Sequence, residues 1–78
     1  MDNLEKYNKI FIETFGISRE QLNGLKYQDI KEWDSIGHMS LVAGLEDEFE
    51  IMLDADDIIE MSSYEIGKEI LAKYNIIF

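Results

Sequence analysis

Apolar positions recur at three- and four-residue steps through most of the chain, the spacing of amphipathic helices. Leu4, Tyr7, Ile10, Phe11 and Phe15 form one stripe. Asp2 and Glu5 give it a capping-box-like start, and Gly16 a natural stop. A second helix is predicted over Ser35–Glu50, with Asp34 as its cap. A short third helix fits Ala55–Met61 behind Asp54. A fourth starts at "SSYE", with Ser62 as cap and Glu65 reaching back, and continues through Ile66, Ile70, Leu71 and Tyr74. The tail "NIIF" is apolar enough to dock on the core.

Residues 17–34 form a long first connection. "SREQ" suits a short helical turn. Leu22, Leu25, Tyr27, Ile30 and Trp33 are spread as anchors, so the connection is expected to pack on the domain. The expected fold is all-α: a small antiparallel four-helix bundle, three main helices plus one short third helix, with a long first loop. Residues 1–78 are read as a single domain.

On a helical wheel the second helix has two apolar sides. Leu41, Val42, Leu45, Phe49 and Met52 mark a core face. Ile36, Met39 and Ala43 fall opposite, among Ser40, Glu46, Asp47 and Glu50. Apolar side chains inside a charged rim suit transient docking.

Charge sharpens this picture. The formal net charge is −10. Asp34 to Glu65 holds ten acids and no Lys or Arg, while the remainder holds seven of each sign. The whole net charge therefore lies in the segment that opens beside Ser35. Such a field opposes nucleic acid and anionic membranes, and it either steers partners with basic patches or serves as a solvated surface that keeps a small protein in solution. Without cysteine, no disulfide or thiolate metal site exists. No apolar run reaches membrane-spanning length, "MDNLEKYNKI" is not a signal peptide, and the expected compartment is the cytoplasm.

Ser35 stands at a helix mouth, where free N–H groups and the helix dipole favour an anion such as a phosphate ester. Most Asp-Ser pairs at helix starts are caps, and position alone leaves that reading in front. His38, three residues on, lacks the company of a catalytic triad and is expected to be structural, facing the core beside the long loop. "DADD", Asp54–Asp57, lacks the glycine and closing glutamate of a calcium loop and reads as capping plus acidic surface. Gly44 and Gly67 lie inside predicted helices and mark either close packing or spare room.

"DSIGHMSLVAGLEDEFEI" resembles the second helix of acyl carrier proteins around the Asp-Ser-Leu attachment motif, with Ile36 in the place of leucine. Leu41, Val42, Leu45, Glu46 and Phe49 follow at that family's spacing, and the resemblance covers most of the chain. It implies a carrier that is not itself an enzyme. A phosphopantetheinyl transferase would move 4'-phosphopantetheine from coenzyme A to Ser35, and the arm's thiol would carry acyl groups as thioesters. Asp34 would flank the attachment site. Ile36, Met39 and Ala43 would meet partner enzymes, Glu46 and Asp47 would pair with their basic residues, and Asp56, Asp57 and Ile59 would complete that surface. Leu45, Phe49, Ile58, Met61 and Leu71 would line a cavity for the acyl chain. Acyl-loading and acyl-transferring enzymes are the implied partners, and a monomer the implied state. Gly37 and Ser40 stand where fatty-acid carriers hold acids, and Trp33 is unusual for a housekeeping carrier, which points to a specialised pathway. An aminoacyl or peptidyl carrier, or an unmodified acidic interaction module, are the alternatives.

Overall fold

The computed structural model describes residues 1–78 and is all-helical. Four helices follow in order: α1 (Asn3–Phe15), α2 (Ser35–Phe49), α3 (Ala55–Glu60) and α4 (Tyr64–Ala72), with a 3-10 turn at Arg19–Gln21. The extents are 29 × 27 × 19 Å. No helix is long and apolar enough to cross a membrane.

Local chemistry sets the helix ends. The Asp2 carboxylate accepts from the Glu5 N–H at 2.8 Å, and Gly16 closes α1 in the left-handed conformation. α2 stops because Glu50 turns left-handed (φ 55°), and the helical period does not extend to the residues after it. Met52 is accordingly 82% exposed instead of lying on the core face, and Leu53 is buried in its place. α4 also departs from expectation. Ser62 is committed to the first connection, its carbonyl accepting from the Tyr27 N–H at 2.9 Å. Ser63 caps α4 one residue later, its hydroxyl accepting from the Ile66 N–H. α4 ends at Ala72, which frees Tyr74 for contacts with α3. Asp54 occupies the cap position of α3 but makes no side-chain cap bond; its N–H donates to the Tyr74 hydroxyl.

The core is aromatic and continuous, built where α1 packs on α2. Tyr7, Phe11 and Trp33 are fully buried, with Phe11 and Phe15 at 5.5 and 5.2 Å from the Trp33 ring. The long connection is thus part of the core, and it is pinned twice: Leu22 and Leu25 are buried, and Lys26 pairs with Ser63 in an isolated antiparallel bridge. Of the tail, Ile76 packs against the core and Phe78 leans on Tyr7 at 5.1 Å, while Ile77 is exposed.

Gly44 and Gly67 serve close packing. A Cβ on Gly44 would stand 2.9 Å from Ile10 Cγ2, and one on Gly67 would stand 2.1 Å from the Tyr7 hydroxyl. That hydroxyl donates to the Tyr64 carbonyl at 2.7 Å, and its burial pushes the phenol pKa up. The proposed acyl-cavity residues are packed likewise. Leu45, Met61 and Leu71 are at most 1% exposed in the core, and Phe49 and Ile58 pack against it. They line no common cavity; Ile58 alone borders an opening, the groove beside Ser35.

Candidate functional site

The start of α2 is organised by the turn before it. Asp34 is the cap: its Oδ1 accepts from the Gly37 N–H at 2.8 Å, and its carbonyl accepts from the His38 N–H. With the cap filled by Asp34, the Ser35 side chain is exposed and its hydroxyl makes no hydrogen bond within the protein. Cap and free hydroxyl are separate residues.

Gly37 has a steric reason. A Cβ there would lie 1.9 Å from the Glu32 carbonyl oxygen, a backbone atom that cannot swing aside. Any larger residue, an acid included, would push the loop off α2. Glycine at position 37 is therefore required by how this loop folds back on α2.

Beneath that turn runs a relay across three elements. Trp33 Nε1 donates to His38 Nδ1 at 3.0 Å. An indole nitrogen can only donate, so Nδ1 accepts and the ring proton sits on Nε2. Nε2–H then donates to the Ile58 carbonyl at 2.7 Å. His38 thus ties the first connection, α2 and α3 together, the structural part expected for it. Trp33 and His38 stack in near-parallel planes, and Tyr27 stands edge-on to both.

Ser35 edges a groove of about 350 Å³ completed by Tyr27, His38, Met39, Ile58 and Ile59. Its walls are mainly apolar. Ile36 and Ile59 are each 78% exposed, Met39 is half-exposed, and Ala43, Asp47 and Asp56 are exposed nearby in sequence on α2 and α3. The expected apolar residues are exposed, whereas two of the expected acids are engaged within the fold. Glu46 is half-buried and its Oε2 accepts from the Leu53 N–H at 2.8 Å, so it holds the α2–α3 connection. Asp57 is 6% exposed. Its carboxylate accepts from Lys73 Nζ at 2.5 Å and from the Tyr74 hydroxyl at 2.6 Å, so it anchors α3 to the chain's end and is unavailable to a partner. The "DADD" carboxylates do not converge, and no group of three ligating side chains is placed to hold a metal.

The hydrogen bonds from Lys73 and then Tyr74 lower the Asp57 pKa, and the same bond to Asp57 raises that of Lys73. A depressed carboxylate stabilises the fold above its unfolded value, near pH 4, and that contribution disappears as pH falls through the folded value. The raised ammonium contributes below its unfolded value, near pH 10.4, and its share is lost as pH rises through the folded value. Urea denaturation of wild type and Asp57→Asn is expected to show the largest difference between about pH 5 and 9, shrinking below about pH 4. A difference that stays constant down to pH 2 would contradict the assignment.

Tyr27 and the Trp33–His38–Ile58 relay add to the expected site residues. Their signal lies in the run "YQDIKEWDSIGH", whose aromatic residues flank the turn that leads into Ser35. The fold and site together define a small all-helical protein that presents an unengaged serine hydroxyl at a helix mouth, beside an apolar groove. Compared with known proteins, the chain matches no family model, no curated protein and no solved structure.

Proposed function

We propose that the chain is a carrier protein of the acyl-carrier type, its helices arranged as an antiparallel bundle and its cargo carried on Ser35. The observation that supports this best is the division of labour at the α2 start. Asp34 satisfies the helix N-terminus, leaving the Ser35 hydroxyl exposed and free of internal hydrogen bonds. The resemblance of "DSIGHMSLVAGLEDEFEI" to the attachment helix of acyl carriers gives that hydroxyl its chemistry. It attacks the pyrophosphate of coenzyme A at the phosphorus bonded to pantetheine. The phosphopantetheine ester forms, 3',5'-adenosine bisphosphate leaves, and the serine proton passes to a base of the transferase, which also supplies Mg²⁺.

The chain's own residues then do three things. The α2 N-terminus stabilises the new phosphodiester charge. Ile36, Met39 and Ile59 offer apolar contact to partner enzymes, and Asp47 and Asp56 attract their basic patches. His38, by holding the Ile58 carbonyl, fixes the distance of α3 from the attachment site.

The test is incubation with coenzyme A, Mg²⁺ and a broad-specificity phosphopantetheinyl transferase, followed by intact mass. One adduct is expected on wild type and none on Ser35→Ala. Folded wild type that stays unmodified with several transferases would mark an unmodified interaction module instead. Fatty-acyl and aminoacyl loading enzymes, offered to the modified protein, distinguish acyl from aminoacyl cargo.

A further inference from the structure

A second cavity, of about 340 Å³, shares no residue with the Ser35 groove. It lies between the first half of α1, the 3-10 turn region and the start of α4. Two side chains characterise it. Arg19 lines it, is the only arginine in the chain, and takes part in none of the protein's ion pairs. It shares the lack of an ion-pair partner with Lys6, Lys26 and Lys31, and its side chain is exposed to solvent at the cavity's edge. Asn8 also lines the cavity and is 7% exposed. Its Oδ1 accepts from the Tyr64 hydroxyl, while its Nδ2 makes no hydrogen bond within the protein. No side-chain polar atom in the protein is both fully enclosed and unpaired, so Nδ2 keeps access to solvent, and Asn8 is one of the residues that line this cavity. Nearly buried amide groups are normally satisfied, and this one has donors to spare.

The remaining wall supplies apolar surface and balances charge. Leu4, Leu22 and the Tyr64 ring border the space. Lys68 sits 3.0 Å from Glu65 and 4.8 Å above the Tyr64 ring, so its charge is already answered. Glu65 lines the cavity too and is answered by Lys68, so of the two cations in the lining Arg19 is the one without an ion-pair partner.

We propose that this cavity is a binding site for a small organic carboxylate with an apolar body. A planar guanidinium pairs with a carboxylate through two parallel hydrogen bonds, and the free Asn8 amide adds a third donor. The apolar part lies over Leu4, Leu22 and Tyr64. The net charge opposes an anion at long range, so affinity comes from contact; at 0.15 M salt the opposing field is screened beyond about 8 Å. The site is independent of Ser35 and of its modification.

The test is a nitrogen-15 and methyl NMR titration of the unmodified protein with benzoate at 0.15 M ionic strength, compared with benzyl alcohol and inorganic phosphate. Saturable shifts are expected at the Asn8 side-chain amide, Leu22 and Tyr64, without change at Ser35 or Ile59. Benzyl alcohol and phosphate are expected to bind at least about tenfold more weakly, the loss of one charge-assisted contact or of the apolar one. Arg19→Gln is expected to weaken benzoate by a similar factor. Asn8→Asp, which keeps the acceptor for Tyr64 but replaces the donor with a charge, is expected to abolish binding. Absence of saturable shifts, equal response to benzyl alcohol, preference for phosphate, or indifference to Arg19→Gln would each overturn the proposal.

Discussion

Replacing Trp33 with alanine is expected to cost about 3–5 kcal/mol, the range for truncating a large buried aromatic residue. Trp33 is fully buried although it belongs to the connection between α1 and α2. Its ring stacks on Phe15, meets Phe11 edge-on, and through Nε1 satisfies His38. Truncation therefore opens a cavity and strips a half-buried imidazole of its donor, two penalties at one site. A domain of this size is stable by roughly 4–12 kcal/mol, so the loss is about a quarter of the total or more. Thermal melts should fall by about 4–8 °C for each kcal/mol lost. Trp33→Phe keeps most of the ring but not the N–H, and is expected to lose much less. A Trp33→Ala protein with an unchanged melting temperature would mean that the first connection does not belong to the core.

The second large effect is expected at Gly67. Gly67→Ala gains helix propensity of about 1 kcal/mol, which alone would stabilise α4. Here the new methyl would meet the Tyr7 hydroxyl at 2.1 Å, and Tyr7 is fully buried with nowhere to move. Overpacking of this kind costs about 1–3 kcal/mol, more than the propensity gain. Tyr7→Phe alone removes the bond to the Tyr64 carbonyl, worth about 1 kcal/mol. Because the same hydroxyl causes both losses, the double variant is expected to be more stable than the sum of the single effects, by about 0.5–3 kcal/mol in a double-mutant cycle. Strict additivity would show that the two residues do not compete for one space.

The order of helices is legible in the sequence because periodicity and caps agree. Asp2, Gly16, Asp34 and the acidic start of α3 mark ends that local chemistry determines. Expectation and structure part where a distant partner or a backbone turn intervenes. Ser62 cannot cap α4 because Tyr27 holds its carbonyl, and no pattern within α4 contains that fact. A helical period extended past Glu50 puts Met52 on the core face, but the backbone turns left-handed at Glu50. Asp57 counts as a surface acid in any local window; it is withdrawn by Lys73 and Tyr74, sixteen and seventeen residues away. Resemblance alone assigns Leu45, Met61 and Leu71 to a cavity, and the packing around them is closed.

At the site, the apolar stripe of Ile36, Met39 and Ala43 is visible on the wheel, and the lack of triad partners sets His38 apart from catalysis. The groups His38 does bond are not readable, since Trp33 and Ile58 approach it from separate elements. The cap question is open in sequence because Asp34 and Ser35 can both serve. Geometry answers it: one carboxylate oxygen at 2.8 Å from the Gly37 N–H leaves no cap role for the serine. Gly37 itself reads as a departure in sequence and as a necessity in space, where the Glu32 carbonyl occupies the room a side chain would need.

The chain has five serines, at positions 18, 35, 40, 62 and 63. The most direct measurement of the carrier assignment is fragmentation mass spectrometry of wild-type protein after reaction with coenzyme A and a phosphopantetheinyl transferase. The entire adduct is expected on the peptide containing Asp34-Ser35-Ile36, at Ser35 alone. An adduct on Ser40, Ser62 or another serine, or none on folded protein with any of several transferases, would contradict it.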